Sequence, residues 1–326
     1  MDLDAAGVRR ARARAQLLNS TGRNAAAVVS RLVGIQAQQD RAAALAIRAR
    51  TTGLTVSSVT DAVARGSLVL TWTLRGTRHL HHRKDLAWLL ALFGPIYSRH
   101  TKRDVELGIA GAVGQRAIAA LRDALASDGP LTRAAVKERL APVGVGPDGQ
   151  AAIHVIRKAA LAGILSIVPG DGGKERYAPL AREPSTMPPD EAVAELARRY
   201  IRGYGPTTPA DFAAWSGLGL RTAERAWPAD HRTARTNLDP VPLRLLGGFD
   251  NFLLGYADRT PQVPAEHARK VNAGGGLVKP VVIDDGRVVG TWALPDRIEP
   301  FPGEQFDAAA VERELADVRQ FLADRQ

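Results

Sequence analysis

Residues 68–82 read LVLTWTLRGTRHLHH, and this stretch interrupts a run of helical sequence. Its first half, Leu68–Leu74, is rich in β-branched and apolar residues, which favours a strand. Arg75 and Gly76 follow, and a glycine suits a tight turn because it accepts positive φ without a side-chain clash. A second strand is predicted over Thr77–His82. The stretch therefore predicts a β-hairpin.

Helical patterns flank this hairpin. Apolar residues recur at helical spacing in four segments before it and one after it: Arg9–Leu18, Asn24–Val33, Arg41–Arg50, Thr55–Arg65 and Asp85–Phe93. Helices that lead into a hairpin are typical of winged helix-turn-helix motifs. The same order recurs further along the chain, where helices precede a second hairpin predicted from Gly163–Val168 and Glu175–Tyr177.

The last third of the chain repeats the helical part of this pattern. Pro209–Trp215 and Gly219–Trp227 predict two consecutive helices, and Thr208 is placed to cap the first of them. A hairpin is predicted around Asp284–Gly286, where an Asp-Asp-Gly turn separates two β-rich runs. Phe306–Phe321 is predicted as a closing amphipathic helix, because its apolar residues keep a helical spacing.

We therefore predict a mainly helical α+β fold with three tandem winged helix-turn-helix motifs, β-hairpin wings and a C-terminal hairpin plus helix. The predicted units span residues 1–100, 101–183 and 184–326. The second boundary falls at Glu183–Pro189, where prolines and small polar residues indicate a linker.

The composition indicates a basic protein without cysteine chemistry. The chain has 326 residues, a formal net charge of +10 and a pI near 10.3, and arginine supplies most of the positive charge. Arginine binds phosphate bidentately, so this excess favours a nucleic-acid partner, although an arginine-rich solvated surface would give the same composition. The absence of cysteine excludes disulfides and thiolate sites. No secretion signal or membrane-spanning run is found, so we expect a cytoplasmic, nucleoid-associated protein.

A short linker at residues 34–40, GIQAQQD, separates two predicted helices. Gly34 is predicted to end the first helix, because glycine accepts the left-handed conformation found there. Asp40 is predicted to cap the second helix through its carboxylate. The residues between them are therefore not helical.

Two glutamines in this linker are the candidate catalytic residues. If the linker is extended, Gln36 and Gln38 project to one side while Ile35 and Ala37 turn into the core. Two convergent carboxamides can hold a water molecule, since each offers a donor and an acceptor. Glutamine is neither a strong acid nor a strong base. The pair therefore suits a reaction whose leaving group departs readily and needs only a positioned water.

Basic side chains in three places are candidates for contact with DNA. They are Arg75, Arg78, His79, His81 and Arg83 on the hairpin and its exit, Arg221 and Arg225 one helical turn apart, and Lys279 near the last hairpin. Strand residues alternate sides, so His79 and His81 share one side and only part of the hairpin set can face DNA. The two arginines could equally coat a solvated helix face. No metal and no cofactor is predicted, because the histidines lack a partner at ligand spacing.

Four segments in a fixed order carry a family resemblance. Residues 32–38 read LVGIQAQ, residues 71–80 read TWTLRGTRHL, residues 204–212 read YGPTTPADF, and residues 249–259 read FDNFLLGYADR. Together they resemble the winged-helix DNA glycosylases of the AlkZ/YcaQ type. The matching features are the glutamine–aliphatic–glutamine catalytic motif, the Arg-Gly-Thr-x-His hairpin, the opening of the third helix-turn-helix, and the Phe-Asp-x-x-Leu-Leu-Gly-x-x-Asp-Arg segment. The chain departs from this pattern at Arg78, where the family usually has an aliphatic residue.

The resemblance implies a monofunctional DNA glycosylase that hydrolyses the bond between deoxyribose and a purine alkylated at N7 or N3. It implies that Gln36 and Gln38 are the catalytic residues. The glutamine–glutamine branch of the family is associated with self-protection in antibiotic producers, which implies bulky adducts or interstrand crosslinks among the substrates. We expect double-stranded DNA with alkylated purines as the partner, a monomeric protein, and no membrane.

Two alternatives remain open from the residues alone. A carboxylate, Asp40 or Asp250, could act as the base, although Asp40 is predicted to cap a helix and Asp250 to support the core or a loop. The same fold would also serve a non-catalytic DNA-binding regulator or a protein that binds drug–DNA adducts. Substitution of Gln36 and Gln38 discriminates between these functions, because a regulator does not need them.

Overall fold

The computed structural model describes residues 3–19, 24–99, 101–146, 149–181, 184–229, 239–274 and 276–323. Glu183, where the predicted linker begins, lies outside the described residues. In the described part, helices combine with short antiparallel strands, so the predicted mixture of α and β structure is confirmed. No helix found there is both long and apolar enough to cross a membrane.

Contacts between residues divide the chain into two compact units. Unit 1 combines the chain up to Ala62 with the chain from Val193 onward, and unit 2 comprises Val63–Ala192. Unit 1 is thus discontinuous in sequence, so its N-terminal helices share a core with the last third of the chain. The predicted division into three winged-helix units follows motifs rather than compactness, and it stays a prediction.

Four helices and one short strand form the first segment of the chain. They are α1 (Ala5–Ala15), α2 (Ala25–Arg31), β1 (Ile35–Gln36), α3 (Asp40–Arg48) and α4 (Val56–Ala64), the last of which runs on into unit 2. Short polar side chains cap the first two helices. Asp4 accepts from Gly7 N at 2.7 Å, and Asn24 accepts from Ala27 N at 2.8 Å. Because of the Asp4 cap, α1 begins ahead of the predicted start at Arg9.

Unit 2 contains five strands and five complete helices among its described residues. They are β2 (Leu68–Trp72), β3 (Arg78–His82), α5 (Arg83–Tyr97), α6 (Lys102–Glu106), α7 (Gly111–Asp128), β4 (Leu131–Thr132), α8 (Arg133–Leu140), α9 (Ala151–Leu161), β5 (Leu165–Pro169) and β6 (Glu175–Pro179). Buried side chains of α7, α8 and α9, among them Leu121, Val136 and Ile156, form one core with Ile167 of β5.

Both hairpins predicted for this part of the chain are confirmed. β2 pairs antiparallel with β3, with Leu70 opposite Leu80, and β5 pairs antiparallel with β6. β2 also pairs with β5, where Leu70 lies opposite Ile167, so the strands of unit 2 follow the order β3-β2-β5-β6-β4. The two predicted wings therefore share one sheet, which covers the strand edges that separate hairpins would expose.

The rest of unit 1 comprises six helices and four strands in its described residues. They are α10 (Pro189–Tyr204), which begins in unit 2, α11 (Pro209–Ser216), α12 (Leu220–Ala226), β7 (Arg244–Leu246), α13 (Asn251–Leu254), α14 (Ala268–Val271), β8 (Val281–Asp284), β9 (Arg287–Ala293), β10 (Arg297–Pro300) and α15 (Ala308–Ala323). Thr208 caps α11 by accepting from Asp211 N at 3.1 Å, as predicted.

The four strands of unit 1 form an antiparallel sheet in the order β10-β9-β8-β7. The turn between β8 and β9 contains Asp285 with φ 47° and Gly286 with φ 73°, and two left-handed residues are what a type I′ turn requires. The predicted hairpin at Asp284–Gly286 is therefore confirmed. α15 buries Val311 and Leu315 against this sheet, which confirms the predicted closing helix.

Part of the arginine excess is structural. Arg12, Arg48 and Arg50 are buried, a position that arginine rarely takes unless it is paired. Arg48, for example, donates to Glu314 at 2.8 Å and to Asp317 at 2.9 Å, which ties α3 to α15. The net charge therefore overstates the number of arginines that can meet an external phosphate.

Candidate active site

The glutamine linker lies between α2 and α3 in unit 1. α2 ends at Arg31, and α3 begins at Asp40. Val33 has φ 59° and Gly34 has φ 140°, so the left-handed residue that follows the helix is Val33 rather than the predicted Gly34. A β-branched residue rarely adopts this conformation, so the surrounding contacts have to hold it there.

Side chains in the linker alternate between the core and the surface. Ile35 and Ala37 are buried, with 0% and 2% of their surface exposed, whereas Gln36 is half-buried and Gln38 is exposed. The backbone is extended at β1, so this alternation is that of a strand. The prediction that the apolar residues turn into the core while the glutamines do not is confirmed.

Two side chains from distant segments hold the linker backbone. The Tyr204 hydroxyl donates to Leu32 O at 3.0 Å and accepts from Asn251 Nδ2 at 2.6 Å. Asn251 Nδ2 also donates to Gly34 O at 2.9 Å. Tyr204 and Asn251 are both buried, and hydrogen bonds shielded from water are electrostatically stronger than exposed ones. This network fixes the backbone on the N-terminal side of Gln36.

Neither Tyr204 nor Asn251 was identified as a site residue from the sequence. Both lie in segments that carry the family resemblance, residues 204–212 and 249–259, and this was the signal that could have found them. The neighbouring Gly203 contributes as well, because a Cβ there would lie 2.6 Å from Arg31 O. Only glycine lets α10 approach the end of α2 this closely.

Tyr204→Phe is expected to loosen the linker without opening a cavity. The change leaves Leu32 O without its donor and one Asn251 N–H without its acceptor, so the free energy of unfolding should fall by about 1–3 kcal/mol. The shift of the urea midpoint at unchanged slope would measure this loss. We also expect a lower catalytic rate, because the linker carries both candidate glutamines.

Tyr200→Phe is the matched control for this prediction. Its hydroxyl is also buried and donates to a backbone oxygen, Gly255 O, at 2.6 Å, but it does not bind the linker. Both variants should lose stability, and only Tyr204→Phe should lose catalytic rate. An equal loss of rate in the two variants would contradict a positioning role for Tyr204.

Of the two carboxylates considered as alternative bases, one has a clear structural role. Gln39 occupies the cap position of α3 and makes no side-chain cap bond, while Asp40 is the first helical residue, so the predicted cap role of Asp40 is wrong. Asp40 still lies in the first turn, where a negative charge is favourable. Asp250 is completely buried, caps α13 by accepting from Phe252 N at 2.8 Å, and binds Arg50 through both carboxylate oxygens. Its predicted supporting role is confirmed.

The two central histidines of the first hairpin of unit 2, formed by β2 and β3, are buried. His79 is 3% exposed and His81 is fully buried, with ring centroids 5.7 Å apart. His81 Nε2 lies 2.6 Å from Thr73 Oγ1, and His79 Nδ1 lies 3.1 Å from Thr77 O. The two residues share a side as predicted, but that side is packed, so the prediction that they contact DNA is corrected. Among the described residues, no group of three or more His, Asp or Glu side chains could hold a metal ion.

The other basic candidates differ in their exposure. Arg78 is half-buried, forms an ion pair with Glu175, and has its Cζ 5.9 Å from the ring centroid of Trp72. Its role as a DNA contact stays a prediction. Arg75 is half-buried at the hairpin tip. The exposed candidates are Arg83, Arg221, Arg225 and Lys279.

Acidification is expected to destabilise unit 2 through His79. Burial, and after it the charge of Arg75, lowers the pKa of His79 well below its ordinary value. The unfolded chain therefore takes up the proton first. The contribution of His79 to the free energy of unfolding is fully present above the ordinary histidine pKa of about 6.5. Below that pH it falls by up to about 1.4 kcal/mol per pH unit, until the folded-state pKa is reached.

Urea unfolding between about pH 8 and about pH 5 would measure this dependence. The native protein should lose stability more steeply than His79→Gln, in which the titrating group is absent. Equal slopes for the two proteins would contradict the assignment to His79.

The chain is similar to known proteins along nearly its whole length. Residues 29–321, which include both glutamines of the linker, match the family described as DNA glycosylase AlkZ-like. An interstrand DNA cross-link repair glycosylase from Streptomyces sahachiroi is 30% identical over 90% of this chain and 90% of that protein. The solved structure of the Streptomyces sahachiroi DNA glycosylase AlkZ is similar with a TM-score of 0.77 and 27% identity, covering 98% of this chain and 97% of that one. The chain therefore belongs to the AlkZ-like family of DNA glycosylases, which confirms its predicted class as a DNA N-glycosylase.

Proposed function

We propose that this protein is a monofunctional glycosylase for purines alkylated at N7 or N3, and that it hydrolyses the N-glycosidic bond with a water molecule held by Gln36 and Gln38. The proposed substrates include bulky adducts and interstrand crosslinks in duplex DNA, since one relative is named for cross-link repair. The proposed acting species is a monomer associated with the nucleoid.

The main support for this proposal is that the backbone of the glutamine linker is fixed in place. Ile35 and Ala37 anchor it in the core, and Tyr204 and Asn251 bind its backbone. Side chains on a fixed backbone can hold a water molecule without reorganising during the reaction. Such preorganisation is the condition under which positioning lowers a reaction barrier.

The chemistry of the proposed substrates matches neutral catalytic groups. Alkylation at N7 or N3 makes the purine cationic, so it departs without being protonated and leaves an oxocarbenium-like sugar. Ordinary glycosidases need one carboxyl group to protonate the leaving group and another to activate water or attack the sugar. With the first task unnecessary, the protein has to place water near C1′ and stabilise the sugar cation. The amide oxygens of Gln36 and Gln38 suit both tasks, because they accept hydrogen bonds from water and present partial negative charge.

The proposed mechanism releases the base without cutting the DNA strand. Strand cleavage by glycosylases requires an amine nucleophile that forms a Schiff base with the sugar. The proposed site contains two carboxamides, and carboxamides cannot form such an adduct. The product is therefore an abasic site and the free alkylated purine.

We propose that exposed basic side chains bind the DNA duplex, and that these side chains lie on three winged helix-turn-helix motifs. Arg83, Arg221, Arg225 and Lys279 are the candidates, together with the half-buried Arg75 and Arg78. The pair α11 and α12 supports this part of the proposal. α11 ends at Ser216, Gly217 follows with φ 77°, and α12 carries two of the exposed arginines. Contacts of this kind position a protein on DNA without reading its sequence.

Base release from duplex DNA that carries a single N7-methylguanine tests the proposal. The native protein should release the methylated base and leave a site that breaks on alkali treatment, with intact strands before that treatment. The same duplex with unmodified guanine is the control. Absence of release from N7-methylguanine and from bulky or crosslinked guanine adducts would overturn the proposal.

A further inference from the structure

An arginine, Arg41, directly follows the glutamine linker in unit 1. It is the second residue of α3, lies three positions after Gln38, and has an exposed side chain. Three residues of chain span at most about 11 Å. Successive phosphates of one DNA strand are about 3.4 Å apart along the duplex axis. A strand whose reacting sugar lies at Gln38 therefore brings a phosphate of the same or an adjoining nucleotide close to Arg41.

Arg41 occupies a place where a positive charge is unfavourable. The first turn of a helix carries the partial positive charge of its unpaired N–H groups, so an acidic residue such as Asp40 suits this turn and an arginine does not. In the part of the chain that the structure describes, the Arg41 side chain has no hydrogen bond or ion pair that would offset this cost. Its charge is therefore available to an anion from outside the chain.

Two glycines pack the start of α3 against the segment that precedes β8. A Cβ built on Gly247 would lie 3.4 Å from Ala42 Cα, and one built on Gly248 would lie 3.0 Å from Val278 O. All four of these residues are buried. The absence of side chains at Gly247 and Gly248 therefore lets both segments approach the same turn closely.

Each of the two segments carries an exposed cation next to its buried residue. Arg41 precedes Ala42, and Lys279 follows Val278. The Lys279 side chain also has no hydrogen-bond or ion-pair partner among the described residues. Two positive charges on adjoining segments attract a polyanion, and the glutamine linker leads directly into one of these segments.

We propose that Arg41 binds a backbone phosphate of the damaged strand beside the nucleotide that loses its base, and that Lys279 binds a second backbone phosphate. A guanidinium presents a planar fork of N–H donors that matches two phosphate oxygens, whereas the lysine ammonium acts as a point charge. A phosphate bound at Arg41 would fix the sugar relative to Gln36 and Gln38, which is how positioning raises a rate.

This inference rests on the proposed function, because it takes the glutamine linker as the place where C1′ reacts. Arg41 was not among the basic residues chosen from the sequence. Nothing in the sequence shows that the fold leaves this charge without a partner.

The salt dependence of binding to undamaged duplex DNA tests the phosphate contacts. Each contact contributes about 0.9 to the slope of log affinity against log salt. Arg41→Ala should therefore reduce the slope by about 1, and Arg41→Ala/Lys279→Ala by about 2. Arg41→Lys keeps the charge but loses the fork, so it should retain the slope and bind less tightly than the native protein. The urea midpoint of Arg41→Ala should not fall, because the side chain makes no bond within the described fold.

Single-turnover base release tests the positioning role. At saturating protein, Arg41→Ala should release N7-methylguanine about 10–100-fold more slowly than the native protein, because a small displacement of the sugar lowers the rate even when the DNA is bound. A role in binding alone would leave this rate unchanged.

Arg313→Ala is the matched control. Arg313 is an exposed arginine of α15 in the same unit, and its Nη2 already lies 3.7 Å from Asp307 Oδ2. Its loss should leave both the slope and the release rate unchanged.

A native slope in Arg41→Ala, or an equal reduction in Arg313→Ala, would overturn the phosphate site. A reduced slope with a native release rate would place the phosphate away from the reacting nucleotide and overturn the positioning role. A double variant that loses no more slope than Arg41→Ala would remove Lys279 from the site. Absence of base release by the native protein would remove the proposed function, while the slopes would still decide the phosphate contacts.

Discussion

Gln36→Ala/Gln38→Ala is expected to lower the rate of base release by about 10²–10³-fold, the effect usual for removing groups that position or stabilise a reacting centre. The comparison requires single-turnover rates at saturating protein, so that the rate reports the chemical step rather than binding. Affinity for duplex DNA should change by less than about twofold, because neutral amides make no phosphate ion pair. If the two amides hold one water, each single variant should lose nearly as much as the double variant.

Gln39→Ala is the matched control for this experiment. Gln39 is exposed, directly follows Gln38, and makes no side-chain bond at the cap position of α3. Its loss should leave the rate within about twofold of the native value, since surface substitutions of this kind are close to neutral. A double variant that keeps the native rate would contradict the glutamine mechanism. An equal loss in Gln39→Ala would assign the effect to the linker conformation instead.

Features that depend on neighbours in sequence were predictable. The hairpin at Leu68–His82 follows from β-branched composition and a glycine turn, and the structure confirms it. The burial of Ile35 and Ala37 beside the more exposed Gln36 and Gln38 follows from strand alternation alone. In each case the deciding physics acts over a few residues, so one sequence contains it.

Features that depend on distant partners were not predictable. The side shared by His79 and His81 follows from strand geometry, but whether that side meets solvent or packed side chains depends on the other elements of unit 2. The hydrogen bonds from Tyr204 and Asn251 to the linker join segments far apart in the chain. No local pattern encodes such a contact, so the support of the glutamine linker became visible only in the structure.

The separation of the arginines into buried and exposed ones was also not predictable from the sequence. Net charge predicted an anionic partner, but it does not distinguish an exposed arginine such as Arg221 from a buried one such as Arg50. A buried arginine is stabilised by its hydrogen-bond acceptors, and those acceptors come from other elements. Arg50 donates to Gln16 and Ala46 as well as to Asp250.

Asp250→Ala is expected to cause a large loss of stability in unit 1. Asp250 and Arg50 are both completely buried, and the carboxylate binds Arg50 Nη2 at 2.7 Å and Nη1 at 2.9 Å. Removal of the carboxylate leaves a guanidinium charge in the core and deprives α13 of its cap. Breaking a buried pair in this way costs about 3–5 kcal/mol. The urea midpoint of the variant should fall accordingly, at an unchanged slope.

Glu299→Ala provides the matched control, because Glu299 pairs with Arg297 on the exposed edge strand β10 of the same unit. Exposed pairs contribute about 0–1 kcal/mol, since water already solvates both charges and the two side chains lose freedom on pairing. Asp250→Asn separates charge from shape: it keeps an oxygen that can accept from Arg50 but not the negative charge, so its loss should lie between those of the other two variants. A loss in Asp250→Ala no greater than that in Glu299→Ala would mean that the buried charge is relieved by local rearrangement, and the pair would then not hold the segment that carries Asn251 against the glutamine linker.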